Sequence, residues 1–323
     1  MNSKTLLPAI MALAGLAASS MSLAQDRYPS KPIRMIVPYA AGGPADAQAR
    51  AVAESIRKQL GQTVIVDNRP GALTSIGHRA ISEAAPDGYT FGLLTLSAAV
   101  LPATMQSYKI DPTKGFTPIA QYNAGEYAIV SNPKVPARNF EELVAYAKAN
   151  PKKFNVATGG GHLDLVISLL GEVSGANWSI VRYKGVAPAR LAVVAGEVDA
   201  EIDVVGFARE QSAAGKVRFI AVTGDKRNAD VPSVPTIGEG SLPGFQAGFW
   251  WGFGGPPGMP AEAVKTLNAA IRAAVETPEV RAALRSDGTR AAVGTPEDFA
   301  RLIADETKRW GAVARKYSIT QDN

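Results

Sequence analysis

The segment Ile33-Arg34-Met35-Ile36-Val37-Pro38-Tyr39-Ala40-Ala41-Gly42-Gly43-Pro44-Ala45-Asp46 constrains the fold of this chain more than any other. It opens with a short apolar run rich in Ile and Val, the pattern of a buried strand. Gly42 and Gly43 break that pattern. Pro44 then takes the first helical position, where its missing N–H removes no hydrogen bond. Asp46 falls in the first turn, where a carboxylate complements the helix dipole. Ala47, Ala49, Ala51, Val52, Ala53 and Ile56 carry the helix onward. A strand, a glycine turn and a helix N-terminus make an anion site, because the first N–H groups of a helix lack intrahelical partners. The same pattern also serves as a plain βα turn in which glycine permits close packing.

Strand and helix patterns alternate downstream. Val64–Asp67 reads as a strand, ended by the turn cluster Asn68-Arg69-Pro70-Gly71. Ile76–Ala84 reads as a helix closed by Pro86-Asp87-Gly88, and Thr90–Thr95 as a buried strand. Such alternation predicts a parallel α/β sheet. Ligands of these sheets gather beyond the carboxyl ends of the strands, which puts Tyr39 to Asp46 and Thr95-Leu96-Ser97 on one rim.

Phe116–Gln121 is expected to cross to a second α/β unit that begins at Ala128–Val130. That unit continues through the helix Phe140–Ala149, the strand Asn155–Thr158, the run Gly159-Gly160-Gly161-His162 and the helix Leu163–Val173. It is a second strand–glycine–helix unit. The strands Ile180–Tyr183 and Ala200–Val204 flank the helix Val186–Val194. Val217–Val222 is expected to return the chain to the first lobe. Phe249–Phe253 is extended, and Ala261–Val275, Glu279–Ser286 and Pro296–Tyr317 are helices. The expected architecture is therefore α/β and two-lobed, each lobe a mostly parallel sheet with flanking helices, with a hinge between them. Residues 25–124 and 212–323 form the first lobe and 125–211 the second.

A set of short motifs, in order, resembles one family. It includes Tyr28-Pro29-Ser30-Lys31-Pro32-Ile33, the segment Val37 to Asp46, Ala49-Arg50, and Leu60-Gly61-Gln62. It continues with Val66-Asp67-Asn68-Arg69-Pro70-Gly71-Ala72, Ala85-Pro86-Asp87-Gly88-Tyr89-Thr90, and Val181-Arg182-Tyr183-Lys184-Gly185. Ala221-Val222-Thr223, Val234-Pro235-Thr236 and Pro256-Pro257-Gly258-Met259-Pro260 complete it. Together these are similar to the solute-binding proteins of tripartite tricarboxylate transporters, the Bug family, over nearly all of the chain after its leader. The resemblance implies a periplasmic, type II binding protein for small carboxylates that delivers to membrane permease subunits. Within the family the chain looks most like the terephthalate-binding members. Citrate-type and aliphatic dicarboxylates are the alternative ligands, and a sensor that presents its ligand to a membrane receptor is an alternative role.

The leader supports export. Met1-Asn2-Ser3-Lys4 is a short basic start, Leu6 to Ala18 an apolar run, and Ser22-Leu23-Ala24 a small-residue end. That is a signal peptide cut after Ala24, and the run is short for a membrane span. The 323 residues are enough for two domains. The chain has no cysteine, which excludes disulfides, thiolate metal sites and a lipid tether through cysteine. With only two histidines besides, no metal site is expected. The net charge of +5 suits anionic ligands, and no basic stripe interleaved with aromatics points to nucleic acid. A monomer without cofactor is expected.

Two glycine turns facing each other place two helix N-termini around one cleft. Neither has the lysine spacing of a P-loop nor the glycine spacing of a dinucleotide site. No nucleophile elbow supports a secreted esterase, so no catalytic residue is assigned. The expected ligand-binding residues are Tyr39, Ala41, Gly42, Gly43 and Asp46 from the first turn, and Ser97. Thr158, Gly159, Gly160 and His162 come from the second turn, followed by Arg182, Tyr183 and Asp203. His162 matches the family histidine, either touching ligand or capping and packing. Arg182 replaces a residue that is usually proline in the family. It either forks onto a ligand carboxylate or lies solvated on the rim. Asp203 matches the family's usual aspartate, with Glu201 on the same face by two-residue alternation. It pairs with Arg182, meets an ammonium group or holds the hinge. Phe249, Trp250 and Trp251 are either core or cleft wall. With Tyr39 and Tyr127 such a wall suits a flat aromatic ligand.

Overall fold

A computed structural model describes residues 28–320 other than 152, 160, 161, 177 and 184. The signal peptide expected at residues 1–24 lies outside the described residues.

The chain begins with β1 (Ile33–Val37), α1 (Pro44–Leu60), β2 (Val64–Asn68), α2 (Ser75–Ser82), β3 (Thr90–Thr95) and α3 (Leu96–Thr104). β1 pairs in parallel with β2 and β3. α1 starts with Pro44 and stops at Gly61, which caps it in the left-handed conformation at φ 70°. α3 was hidden in the sequence. It follows β3 directly, and Leu96, Ala98, Ala99, Val100 and Leu101 are all buried, so the segment has no polar face to betray a helical period.

β4 (Thr117–Ser131) follows as one strand rather than two separate segments. It is buried on both faces along most of its length, which erases the alternation that would have revealed its extent. Then come α4 (Phe140–Ala149), β5 (Asn155–Thr158), α5 (His162–Ser174), β6 (Ser179–Arg182), α6 (Val186–Ala195), β7 (Ala200–Val204), α7 (Val205–Ala213) and β8 (Arg218–Val222). The remaining elements are β9 (Gly248–Gly255), α8 (Ala261–Ala274), α9 (Pro278–Ser286), β10 (Arg290–Ala291) and α10 (Pro296–Lys316). A capping box of Thr295 and Asp298 starts α10, and Phe299, Ile303, Trp310 and Ala314 bury one stripe of it.

The strands run β2-β1-β3-β9-β4-β7-β5-β6. β4 belongs to both halves. Its residues up to Glu126 pair with β9, whereas Tyr127–Ser131 pair with β7 and Ala128–Ser131 with β8. Each half holds a parallel trio, β2-β1-β3 and β6-β5-β7. β3–β9, β4–β9, β4–β7 and β4–β8 are antiparallel, so both sheets are mixed rather than mostly parallel. β8 also differs from expectation. It hydrogen-bonds into the second sheet, and the chain returns to the first only at Ala247-Gly248, where β9 begins. An apolar strand such as Arg218–Val222 carries no information about which neighbour it will join.

One core packs β1 and β3 against α1 and α8, through Ile33, Met35, Val52, Ile56, Phe91 and Leu267. A second lies on the opposite face and runs through both halves, from Leu94 and Val100 to Tyr127, Leu165, Phe249 and Trp310. A third fills the space between the second sheet and α6 and α7, with Ala128, Val130, Ala192, Val193 and Ala208. No described helix is long and apolar enough to cross a membrane.

Candidate functional site

The carboxyl ends of β1, β3 and β5 lead into the N-termini of α1, α3 and α5. Ser97, in the first turn of α3, brings its Oγ to 3.3 Å from Nδ1 of His162, the first residue of α5. The two helices arise from different sheets, so this contact closes the line between them. Beside it stands Tyr127, where β4 passes from one sheet to the other. Its ring lies 5.6 Å from that of His162 and 5.1 Å from that of Phe249. Phe249 is 6.2 Å from Trp251, and Trp251 is 6.1 Å from Tyr39. A row of rings thus joins the first glycine turn to the start of α5.

The row carries no charge at neutral pH. Burial pushes Tyr39 up to about 12 and Tyr127 well above the usual phenol range. Burial pushes His162 down to about 4, so its imidazole is neutral. The hydroxyl of Tyr127 is buried without a hydrogen-bond partner. Negative charge is therefore favoured here by helix N-termini and neutral donors. Strand alternation divides the aromatic cluster. Phe249 and Trp251 share the face of the row, while Trp250 turns to the core and meets Phe299 edge-on at 5.2 Å.

Asp46 shapes the first turn. Its carboxylate accepts from the Gly42 N–H (2.9 Å), Arg50 Nε (2.9 Å) and Asn68 Nδ2 (3.0 Å). Asn68 also donates to the Tyr39 carbonyl at 3.0 Å. Burial raises the Asp46 pKa, but the bonds from Arg50, Gly42 and Asn68 outweigh it and leave the group below its usual range. The carboxylate is saturated by its own turn. Gly42, at φ 83°, needs its lack of a side chain. Gly43 does not, because a Cβ there would find nothing nearer than the Ala40 carbonyl at 3.6 Å. Ala47 donates the first intrahelical bond, to Gly43 at 3.0 Å, so the N–H groups of Gly43 and Ala45 precede the ladder. Ala41 is exposed beside them.

In the second turn, Gly160 lies outside the described residues. A Cβ on Gly159 would lie 2.7 Å from the Val186 nitrogen, so close packing with the start of α6 accounts for that glycine. Thr158 is buried and its carbonyl accepts from Tyr183 N–H at 2.9 Å. Tyr183 packs on the third core.

Arg182 donates from Nε to Oδ2 of Asp164, at 2.6 Å, in the first turn of α5. Its side chain is 54% exposed while that of Asp164 is 2% exposed, so the arginine stands at the surface with Nε tied to a buried acid. Asp203 pairs with Arg190 rather than Arg182. Arg190 donates from Nε at 2.5 Å and from its terminal nitrogen at 2.9 Å, and the Val204 N–H adds a third bond at 2.7 Å. Arg190 was missed from sequence. The signal was its place on α6, beside Ala189 and Val193, which face the sheet. Glu201 shares that face, buried with both carboxylate oxygens unpartnered. Burial and then the Asp203 charge push its pKa up.

The fold thus gathers Tyr39, Ser97 and His162, and adds Tyr127 and Trp251. It turns Asp46, Arg182, Tyr183 and Asp203 toward partners within their own halves. Among the described residues no group of acidic and histidine side chains could hold a metal ion. A groove of about 660 Å³ beside Pro102, Met105 and Tyr108 lies at the opposite end of α3 from this rim.

Residues 48–319 match the tripartite tricarboxylate transporter family receptor, TctC. The chain belongs to that family. BugT of Bordetella pertussis is 33% identical to this receptor over 310 residues, 95% of this chain and 94% of BugT. The periplasmic binding protein BugD superposes with a TM-score of 0.82 at 32% identity, covering 91% of this receptor and 99% of BugD. MatC of Rhodopseudomonas palustris, solved with bound malate, gives a TM-score of 0.80 at 30% identity over 88% of this receptor and 99% of MatC. Another R. palustris protein, solved with adipate, gives 0.83 at 28% identity over 91% and 99%. The receptor therefore has the periplasmic binding protein fold, and its relatives are solute-binding receptors rather than enzymes.

Proposed function

We propose that this receptor captures an aromatic dicarboxylate such as terephthalate in the periplasm and hands it to the membrane components of its transporter. The observation that carries the reading is the ring row from Tyr39 to His162, laid between the N-termini of α1 and α5. A flat ring stacks along such a row. A carboxylate at each end then meets helix N–H groups, where the first-turn acids Asp46 and Asp164 are already held by Arg50 and Arg182. Tyr127 and Ser97 supply neutral hydroxyls beside it. Residues 28–126 and 248–320 form one lobe and 127–247 the other, and ligand bridging both shifts the balance toward a closed form. The leader is removed after Ala24 and the mature chain acts as a monomer.

A second reading is an aliphatic dicarboxylate, favoured by the malate and adipate held in the two R. palustris relatives. A thermal-shift panel of terephthalate, benzoate, adipate, malate and citrate separates the two, since a ligand of the native state raises stability by mass action. Terephthalate should give the largest rise. A larger rise with adipate or malate favours the second reading, and no rise with any acid removes both.

A further inference from the structure

We infer that Thr223 is the hinge pin of this receptor, the residue that fixes how its two lobes meet and that positions the Tyr127 ring in the cleft. The proposal rests on the reading that the lobes close on a carboxylate.

Two passages of chain join the sheets, at Glu126-Tyr127 in β4 and at Ala247-Gly248 entering β9. They pair with each other as far as Glu126 and Gly248. There they part, and Thr223 stands between them. Its N–H donates to the Tyr127 carbonyl at 2.9 Å, and its Oγ1 accepts from the Tyr127 N–H at 2.9 Å. On the other side Oγ1 donates to the Ala247 carbonyl at 2.6 Å, and the Thr223 carbonyl accepts from the Ala247 N–H at 2.8 Å. One residue thus satisfies both backbone polar groups of each crossing residue. Thr223 is fully buried, so water cannot replace these bonds.

The side chain is as necessary as the backbone. Without the hydroxyl, the Tyr127 N–H would lose its partner inside the protein, a costly state for a buried donor. Glycines surround the pin, where the chain has the widest choice of backbone dihedrals. Gly125, Gly224 and Gly248 each lie within two residues of the junction, and a Cβ on Gly248 would come within 2.8 Å of the Gly125 carbonyl. A stiff node among permissive residues confines motion to rotation about that node. The same node sets Tyr127, whose ring meets His162 and whose hydroxyl is unpartnered. Thr223 reaches the ligand only through Tyr127, as a positioning residue.

The test uses the mature chain, whose lack of cysteine allows clean spin labelling at Glu83→Cys in one lobe and Ala187→Cys in the other, both exposed. Wild type and Thr223→Ser should give a narrow inter-label distance distribution. Thr223→Val, which keeps the shape and loses the hydroxyl, should broaden it, with Thr223→Ala as the substitute if Val does not fold. Amide exchange at Tyr127 should accelerate about tenfold in the hydroxyl-less variant. Its Kd for whichever of terephthalate, adipate and malate wild type binds should rise about tenfold, as the competent fraction falls. Ile220→Val, three residues before the pin, should lower the melting temperature without broadening. Unchanged distances and Tyr127 exchange in Thr223→Val overturn the proposal, as does equal broadening in Ile220→Val. Because distances and exchange are read without ligand, they decide the pin even if wild type binds none of the three acids, a result that would instead remove the carboxylate reading.

Discussion

The Ser97 hydroxyl and the His162 ring meet at 3.3 Å, joining the first turn of α3 to the first residue of α5 across the divide between the two sheets. Each contact residue lies in the first turn of its helix, so the anion of the proposed ligand and this contact would occupy one locality. The neutral state of His162 matters to it. A protonated ring would donate from both nitrogens and could accept nothing from Ser97.

Stability should therefore fall with acid earlier than carboxylate titration alone would require. Burial holds His162 at about 4 and His78 at about 3, below the ordinary 6.5. Between those values the unfolded chain binds more protons than the native one. The contribution is complete above about pH 6.5 and is lost as pH falls through the native values, by about 1.4 kcal/mol per pH unit for each histidine. Urea unfolding of wild type and His162→Gln from pH 7.5 to 4.5 should show a slope about one proton smaller in the variant. Equal slopes would mean that His162 titrates normally.

Gly42 and Gly43 should respond oppositely to the same change. Gly42→Ala forces a side chain into φ 83° and should cost about 1 kcal/mol of stability. Gly43→Ala meets open space within the protein. On the proposed function its effect should fall on binding, because the methyl group would stand among the first N–H groups of α1. Melting curves and calorimetric titration on both variants check the contrast.

Arg190→Met should be among the more damaging single changes in the second half. It strips Asp203, which is only 3% exposed, of both guanidinium bonds and leaves a buried carboxylate with one backbone N–H. A loss of about 3 kcal/mol is expected, read as a lower urea midpoint. The double variant Arg190→Met, Asp203→Asn should recover part of it.

Arg182→Ala should act on stability more than on affinity. The change leaves Asp164, 2% exposed and with its other oxygen unpartnered, without its guanidinium, so it should cost about 3 kcal/mol. The Kd for a bound dicarboxylate should change less than about threefold. A loss of tenfold or more would show that the guanidinium reaches the ligand despite Asp164.

The two strand–glycine–helix turns were legible because their signals are local: an apolar run, a glycine break and a helix-compatible sequence after it. Ser97 and His162 could be placed on rims for the same reason. Their contact could not, since it depends on how two sheets sit side by side. Asp203 was visible as an acid at a strand end, but Arg190 faces it from a helix, thirteen residues upstream. β8 was visible as a strand, but its sheet was not, because apolar side chains do not name their neighbours. The Phe249 to Trp251 cluster lay between these cases. Alternation fixes that one ring turns away from the other two, and only the fold reveals which side is the cleft.

The central claim is that a dicarboxylate is captured by closing the two halves over the ring row. Small-angle scattering of the mature protein, with and without the best acid of the thermal-shift panel, tests it most directly once calorimetry has established saturation. The radius of gyration should decrease on binding and the decrease should vanish in a variant that no longer binds. An unchanged radius at proven saturation would contradict capture between closing lobes.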